Sequence, residues 1–247
     1  DLPRSADDSV LLLCRVRICG QSENILAFNP PLDVTLALAG LAQGDLSGCL
    51  LTVAASVAGF VGPSETRPVV YALGRDPSLL ALADLPMMAG VVGDEPGPAV
   101  DCLAELEQLM ADRLLTFELA GADDLEGFRA ARPGISLRRV LVMIDGLGWL
   151  SSIVEPEQPG RIRQVVGQLL EIGSALGVHL VFTVEDRQEV DPLLTPKVGR
   201  WLEIGGDDGA PGRVRIDGAD VRFAAPGGSW APGRVEQAIA RLVAGPD

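Results

Sequence analysis

The feature that most constrains the fold is a pair of uninterrupted apolar segments, "RRVLVMIDG" at 138–146 and "VHLVFTVED" at 178–186. A strand that is apolar at every central position is buried on both faces, as are strands of parallel sheets that carry helices on both sides. The segment between them has helical periodicity over 161–176, and Gly177 follows it at the position of a helix-ending glycine. Strands that alternate with helices predict an α/β domain with a mainly parallel central sheet flanked by helices.

The rest of the chain extends this pattern. Apolar runs before residue 40 predict strands, and later segments predict further strands, helices and a hairpin whose turn is Asp217-Gly218. We predict one domain over 1–247, with flanking N-terminal strands in 1–33, a nucleotide-binding-like core in 34–204, and a hairpin and C-terminal helix in 205–247. The separate elements are helices at 47–60, 98–119 and 234–243, strands at 67–74 and from Gly90, and a short helix capped by Asp123 or Asp124.

Composition excludes several classes of function. The chain has 34 acidic residues against 20 Lys and Arg, a formal charge of -14, so we expect no direct binding of nucleic acid. Its four cysteines lack C-x-x-C spacing, and the one histidine, His179, is predicted to be a packed imidazole with a hydrogen-bonded nitrogen. We therefore predict no metal site. No apolar run reaches the ~20 residues of a membrane span, and the abrupt ends suggest a domain of a longer protein.

One stretch has the layout of a phosphate-binding loop but contains no lysine. It is "LALAGLAQGDLSGCLLTVAAS", residues 36–56, an apolar strand followed by a small-residue loop and an apolar helix. The motif G-x-x-x-x-G-K-[ST] uses backbone amides and a lysine for phosphates and a hydroxyl for magnesium. Counted from Gly40, Asp45 takes the second glycine, Leu46 the lysine and Ser47 the hydroxyl position, with Gly44 and Gly48 beside them.

These changes oppose phosphate binding. Leu46 carries no charge, and a carboxylate at Asp45 about 4 Å from a phosphate would repel it by roughly 4 kcal/mol at an effective dielectric of 20. The stretch is either a nucleotide loop that has lost its chemistry or a glycine-rich turn of a kind common in α/β proteins. By itself the loop favours the second interpretation.

Asp145 changes the balance between these interpretations. It ends an apolar strand, as does the aspartate that supports magnesium through water in nucleotide hydrolases. Such enzymes usually place an acidic residue next, whereas this chain has Gly146, so a general base is missing. The alternative is that Asp145 only caps the turn that follows the strand.

The order of these segments resembles the FtsK/SpoIIIE ATPase family, and more closely the EccC-type ATPases of type VII (ESX) secretion. The resemblance rests on the loop and first helix, "LLALADLPMMAGVVGDEP", "AELEQLMADRLLTFELAGADDLEGFRAAR", "VLVMIDG" and "GSALGVHLVFTVEDR". It implies a RecA-like P-loop NTPase fold. By position, Ser47 matches the loop hydroxyl, Asp145 the Walker B aspartate and Glu185 a polar sensor, while Leu46 and Gly146 depart from the pattern.

The departures imply a degenerate module that does not hydrolyse ATP, although ATP and Mg²⁺ are the cofactors of the family. The implied partners are neighbouring ATPase modules of the same or another chain and small secreted WXG-type helical proteins. The implied location is the cytosolic part of a membrane-associated secretion complex, with membrane contact only through the parent protein. The alternative is an active ATP-driven motor that translocates protein or DNA.

Two further hypotheses concern Leu46. A pocket emptied of its lysine and lined by Leu46 could accept an apolar side chain of a linker or an export signal. The double change Asp45→Gly with Leu46→Lys is predicted to raise nucleotide affinity without restoring fast hydrolysis, because Gly146 still supplies no acidic group.

Overall fold

The computed structural model describes residues 11–17, 23–28, 35–40, 43–58, 67–80, 82–204, 213–216 and 219–224. The strands in this part are β1 (Leu11–Arg17), β2 (Glu23–Phe28), β3 (Thr35–Ala39), β4 (Val69–Gly74), β5 (Met88–Val92), β6 (Val140–Asp145), β7 (Val178–Val184), β8 (Arg200–Ile204), β9 (Arg213–Ile216) and β10 (Ala219–Ala224). The helices are α1 (Gln43–Ala58), α2 (Pro77–Leu80), α3 (Pro96–Ala120), α4 (Leu125–Ala131), α5 (Leu147–Val154) and α6 (Arg161–Gln168). The predicted helix at 234–243 lies outside the described residues.

The ten described strands form one sheet in the order β2-β1-β10-β9-β8-β3-β7-β6-β4-β5. The six strands from β8 to β5 are parallel to one another, which confirms the predicted α/β class and the parallel core. The other four continue the sheet in antiparallel pairs. Ile216 of β9 pairs with Ala219 of β10, so the strands on either side of the predicted turn form the predicted hairpin.

The parallel strands are buried on both faces because helices cover both. In β6, Val140, Val142 and Ile144 belong to the apolar cluster that also contains residues of α3 to α6. The intervening Leu141 and Met143 belong to a second cluster, which contains the buried residues of α1. Since side chains alternate between the two faces of a strand, Asp145 continues the series that faces α1.

Two helices differ from their predicted bounds by more than two residues. α1 begins at Gln43, four residues before the predicted start. α6 ends at Gln168 and continues as a π-helical turn, Leu169–Gly173, where a regular helix to residue 176 was expected. Gly177 has a φ of 69°, which confirms its predicted role after the helix. Asp124 is the N-cap of α4, and its carboxylate accepts a hydrogen bond of 2.7 Å from the Gly127 amide.

Buried cations join α3 to the amino ends of the central strands. The Arg113 guanidinium of α3 donates to the carbonyl oxygens of Leu176 (2.7 Å), Gly177 (3.2 Å) and Arg138 (2.6 Å). Burial lowers the pKa of Arg113 to about 10, so it stays charged at neutral pH. Arg139 Nη1 lies 3.1 Å from His179 Nε2, which confirms the predicted hydrogen-bonded imidazole. None of the described helices is long and apolar enough to span a lipid bilayer.

Candidate functional site

Asp145 lies at the carboxyl end of β6 and accepts hydrogen bonds on both carboxylate oxygens. Ser47 Oγ of α1 donates to Oδ2 over 3.0 Å, and Thr183 Oγ1 of β7 donates to Oδ1 over 3.1 Å. All three side chains are buried. The fold therefore brings together the predicted loop hydroxyl and the predicted Walker B-like aspartate, which are 98 residues apart in the sequence.

The Gly146 amide also bonds to the Thr183 hydroxyl group. The Gly146 N–H donates to Thr183 Oγ1 over 2.7 Å, so the Thr183 hydroxyl hydrogen is available for Asp145. Burial raises the pKa of Asp145, and the hydrogen bonds from Ser47 and Thr183 oppose this effect by favouring the ionised carboxylate. Asp145 is thus a buried carboxylate held between two hydroxyl groups.

Leu46, at the lysine position, points into the protein core. Its side chain is 0% exposed and belongs to the apolar cluster between α1 and the sheet. Leu46 is buried because it belongs to the apolar face of α1. This face consists of residues at intervals of four, three and four: Leu46, Leu50, Val53 and Val57. All four are completely buried. The hypothesis that Leu46 lines a pocket open to an incoming side chain is therefore wrong.

The loop between β3 and α1 is shorter than the motif requires. Only residues 40–42 separate Ala39 from Gln43, so Gly44, Asp45, Leu46, Ser47 and Gly48 all lie in α1. The prediction that places Gly44 and Asp45 in a loop before the helix is wrong. The Gly40 amide donates to the Val184 carbonyl over 3.1 Å, which fixes the start of the loop against the end of β7.

Glu185, the predicted sensor-like residue, forms an ion pair with Arg75. The Arg75 guanidinium donates to Glu185 Oε1 over 3.0 Å, and both side chains are exposed. Arg75 directly follows β4 and Glu185 directly follows β7, while β6 lies between these strands and ends at Asp145. The ion pair thus joins the strands on either side of the strand that ends in Asp145.

Glu189 is an acidic side chain that lies against the segment after Gly146. A Cβ added to Gly148 would lie 2.7 Å from Glu189 Oε2, so this carboxylate packs against the start of α5. Its other oxygen accepts hydrogen bonds from the amides of Glu185 (3.0 Å) and Asp186 (3.1 Å). Glu189 is therefore part of a capping box at the short helical turn after β7. These hydrogen bonds hold its carboxylate in place, so it is not free to take the role of an acidic residue directly after Asp145.

Gly146 has a φ of 91°, and a Cβ added there would lie 3.3 Å from the Trp149 Cβ. We expect Gly146→Glu, which places an acidic residue directly after Asp145, to lower the free energy of unfolding by about 1–2 kcal/mol because a side chain is strained at positive φ. Gly146→Ala is the control, since it adds the strain without the charge. Urea denaturation measures both losses. Equal stability of Gly146→Glu and the parent chain would contradict the assigned backbone conformation.

The hydrogen bond between Ser47 and Asp145 predicts energetic coupling. Ser47→Ala leaves a buried carboxylate with one donor fewer, and we expect a loss of stability of about 1–3 kcal/mol. In the background of Asp145→Asn, whose neutral amide has less need of the donor, the same change should cost at least about 0.5 kcal/mol less. A double-mutant cycle by chemical denaturation measures the difference. Strictly additive effects would show that the bond does not form.

Sequence reasoning missed Thr183 and Arg75 as members of this site. Thr183 is a hydroxyl residue in an otherwise apolar strand next to the one that ends in Asp145, and Arg75 directly follows a third parallel strand. Because the carboxyl ends of parallel strands meet at one edge of a sheet, the order of the strands, had it been known, would have identified both.

The residues present do not fit a Mg-ATP site. At the lysine position the side chain is apolar and buried, so it offers nothing to balance phosphate charge. The hydroxyl and carboxylate at the magnesium-facing positions bond to each other inside the protein. What the arrangement does provide is a fixed connection between α1, β6 and β7.

Three solved structures of ATPases superimpose well on this chain. The cytoplasmic domain of the type VII secretion ATPase EccC of Thermomonospora curvata superimposes with a TM-score of 0.78 at 20% identity, over 95% of this chain and 30% of that one. EccC ATPases 2 and 3 of Thermomonospora curvata, in complex with a signal sequence peptide, superimpose with a TM-score of 0.75 at 21% identity. The match covers 96% of this chain and 46% of that one. EssC ATPases 2 and 3 from Geobacillus thermodenitrificans superimpose with a TM-score of 0.71 at 17% identity. The match covers 95% of this chain and 48% of that one.

The chain therefore has the fold of the ATPase domains of EccC and EssC, which confirms the predicted RecA-like fold. It spans less than half of the length of each of these three structures. No protein-family model matches the sequence, and no curated protein matches it by sequence.

Proposed function

We propose that this chain is a degenerate, non-hydrolysing ATPase-like module of a type VII secretion ATPase of the EccC kind. In this role it binds a protein substrate or regulates a neighbouring ATPase module. The observation that carries the proposal is Leu46, an apolar core residue at the position of the lysine. The fold supports descent from an ATPase, and the buried Leu46 supports the loss of its chemistry.

The absence of an acidic residue after Asp145 also supports the proposal. Gly146 has no side chain to orient an attacking water, and Glu189 is engaged by two amides. The proposed module therefore binds neither ATP nor Mg²⁺ as a working cofactor. Ser47 and Asp145 keep their positions because their hydrogen bond stabilises the contact between α1 and β6.

The proposed partners are adjacent ATPase modules, in the same or another chain, and small secreted helical proteins of the WXG type. One similar structure, EccC, is described in complex with a signal sequence peptide, which supports a role in substrate recognition. We place the module in the cytoplasm, as part of a complex that reaches the membrane through other parts of the parent protein. The formal charge of -14 argues against DNA as the translocated substrate.

Release of phosphate from Mg-ATP tests the proposal. We expect the chain to hydrolyse ATP no faster than a buffer control, and Ser47→Ala to leave that rate unchanged. Turnover that depends on Ser47 would overturn the proposal and support the alternative, an active ATP-driven motor for protein or DNA.

A further inference from the structure

A cleft of about 360 Å³ lies between α3 and the end of α6 with its π-helical turn. Its apolar lining consists of Ala104, Met110, Ala111 and Leu114 of α3 and Ile172 of the π-helical turn, and its polar lining consists of Glu107, Gln108 and Gln168. Met110 belongs to the apolar cluster on the face of the sheet opposite α1, so the cleft is separated from Ser47 by the sheet. It is therefore a surface distinct from the degenerate nucleotide site.

The apolar side chains at this cleft are unusually exposed. Leu114 is 53% exposed and Ile172 is 39% exposed. Ala104 and Ala111 are small and lie seven residues apart on α3, so the space between Leu114 and Ile172 is open to an approaching side chain. Two large exposed apolar side chains that line one open cleft favour a protein interaction at this place.

The charges on α3 indicate the chemistry of the partner. Each of its exposed charged residues is acidic: Asp101, Glu105, Asp112 and Glu118. Its single basic residue, Arg113, is buried against backbone carbonyls. Two nearby bases are already in ion pairs with acidic residues, Arg161 with Glu107 and Lys197 with Glu171. Asp112 accepts a hydrogen bond from Gln108, which lines the cleft, and Glu118 lies one helical turn after Leu114. Acidic side chains therefore border the cleft and favour a basic partner.

A helix suits the shape of this surface better than an extended segment. The open cleft runs beside a 25-residue helix, and a second helix can place its side chains between those of α3 at intervals of three and four residues. An extended segment gains most from a free sheet edge, and α3 and α6 are helices that present no such edge.

We propose that this cleft binds an amphipathic helix of a partner protein, whose apolar stripe is flanked by Lys and Arg. Leu114 and Ile172 contact the apolar stripe, and Asp112 and Glu118 attract the basic residues beside it. The proposal rests on the partner-binding part of the proposed function and gives it a surface and a partner chemistry. It is independent of whether the chain binds nucleotide.

The test uses two synthetic 18-residue helical peptides with the same leucine stripe. One peptide has lysine and the other has glutamate at all of the positions that flank the stripe. Fluorescence anisotropy measures their binding to the full chain. We expect the lysine peptide to bind at least tenfold more tightly than the glutamate peptide. The double variant Leu114→Gln with Ile172→Gln should weaken binding of the lysine peptide at least tenfold, because it removes the apolar contacts and leaves the net charge unchanged.

The matched control is Leu80→Gln, since Leu80 is 52% exposed on α2, away from the cleft. Its affinity for the lysine peptide should equal that of the parent chain. Equal affinity of the parent chain and the Leu114/Ile172 variant would overturn the proposal, because general attraction to an acidic protein would then explain binding. Tight binding of the glutamate peptide would also overturn it.

A second copy of this chain is the competing occupant of the cleft. Sedimentation of the parent chain tests it, and a dimer abolished by the Leu114/Ile172 variant would overturn the proposal in favour of a second copy. None of these measurements involves ATP. If the lysine peptide does not bind and the chain does not hydrolyse ATP, only the proposal of a helix-binding cleft is refuted. If the lysine peptide binds as expected and the chain hydrolyses ATP, only the proposal of a degenerate module is refuted.

Discussion

Leu46→Lys is expected to lower the free energy of unfolding by about 3–5 kcal/mol. The change removes a completely buried leucine, which alone costs about 2–5 kcal/mol, and places an amine where its charged form is strongly disfavoured. Urea denaturation measures the loss. This result replaces the prediction drawn from the sequence, in which the Asp45→Gly and Leu46→Lys pair raises nucleotide affinity, because a lysine on this face of α1 enters the core.

Leu46→Met is the matched control, since it keeps the volume and apolar character of the side chain. It should cost less than about 1.5 kcal/mol. A Leu46→Lys variant as stable as the methionine variant would show that position 46 faces solvent. Mg-ATP binding by that variant would contradict the account further, because it would place the lysine at the loop.

Arg113→Met is expected to lower the free energy of unfolding by about 2–4 kcal/mol. Three carbonyl oxygens lose charge-assisted hydrogen bonds that tie α3 to the segments just before β6 and β7. Methionine fills part of the space, so the lost bonds dominate the change. Thermal and urea denaturation of the variant measure it.

Arg132→Met is the control for Arg113→Met, because Arg132 is exposed at the end of α4. It should change stability by less than about 0.5 kcal/mol. Similar effects of the two variants would mean that the Arg113 bonds contribute nothing beyond those of a surface arginine.

Apolar patterning predicted most of the fold. Residues such as Val142 and Val181 lie in apolar runs of strand length, as is typical of strands buried on both faces, and the dipeptide Asp217-Gly218 predicted the hairpin. The order of the strands could not be predicted from the sequence, since it depends on which distant strands pair. The π-helical turn at Leu169–Gly173 was also beyond it, because the apolar periodicity before it is that of a regular helix.

The site was predicted in part. Ser47 and Asp145 were both named as site residues, because a family resemblance aligned both, and the fold brings them together. Leu46 was misplaced because the predicted helix began at Ser47 instead of Gln43. The signal was present in the sequence: Leu46, Leu50, Val53 and Val57 have the spacing of a buried helix face, which makes Leu46 part of the helix and not part of a loop.

The central claim is that the module has lost its nucleotide chemistry. Calorimetric titration of the chain with Mg-ATP tests it most directly, supported by thermal unfolding at the same concentrations. A ligand present at 100 times its Kd would stabilise the fold by about 2.7 kcal/mol. The account predicts no heat of binding and no stabilisation at millimolar Mg-ATP. Saturable binding in the micromolar range, abolished by Ser47→Ala, would contradict it.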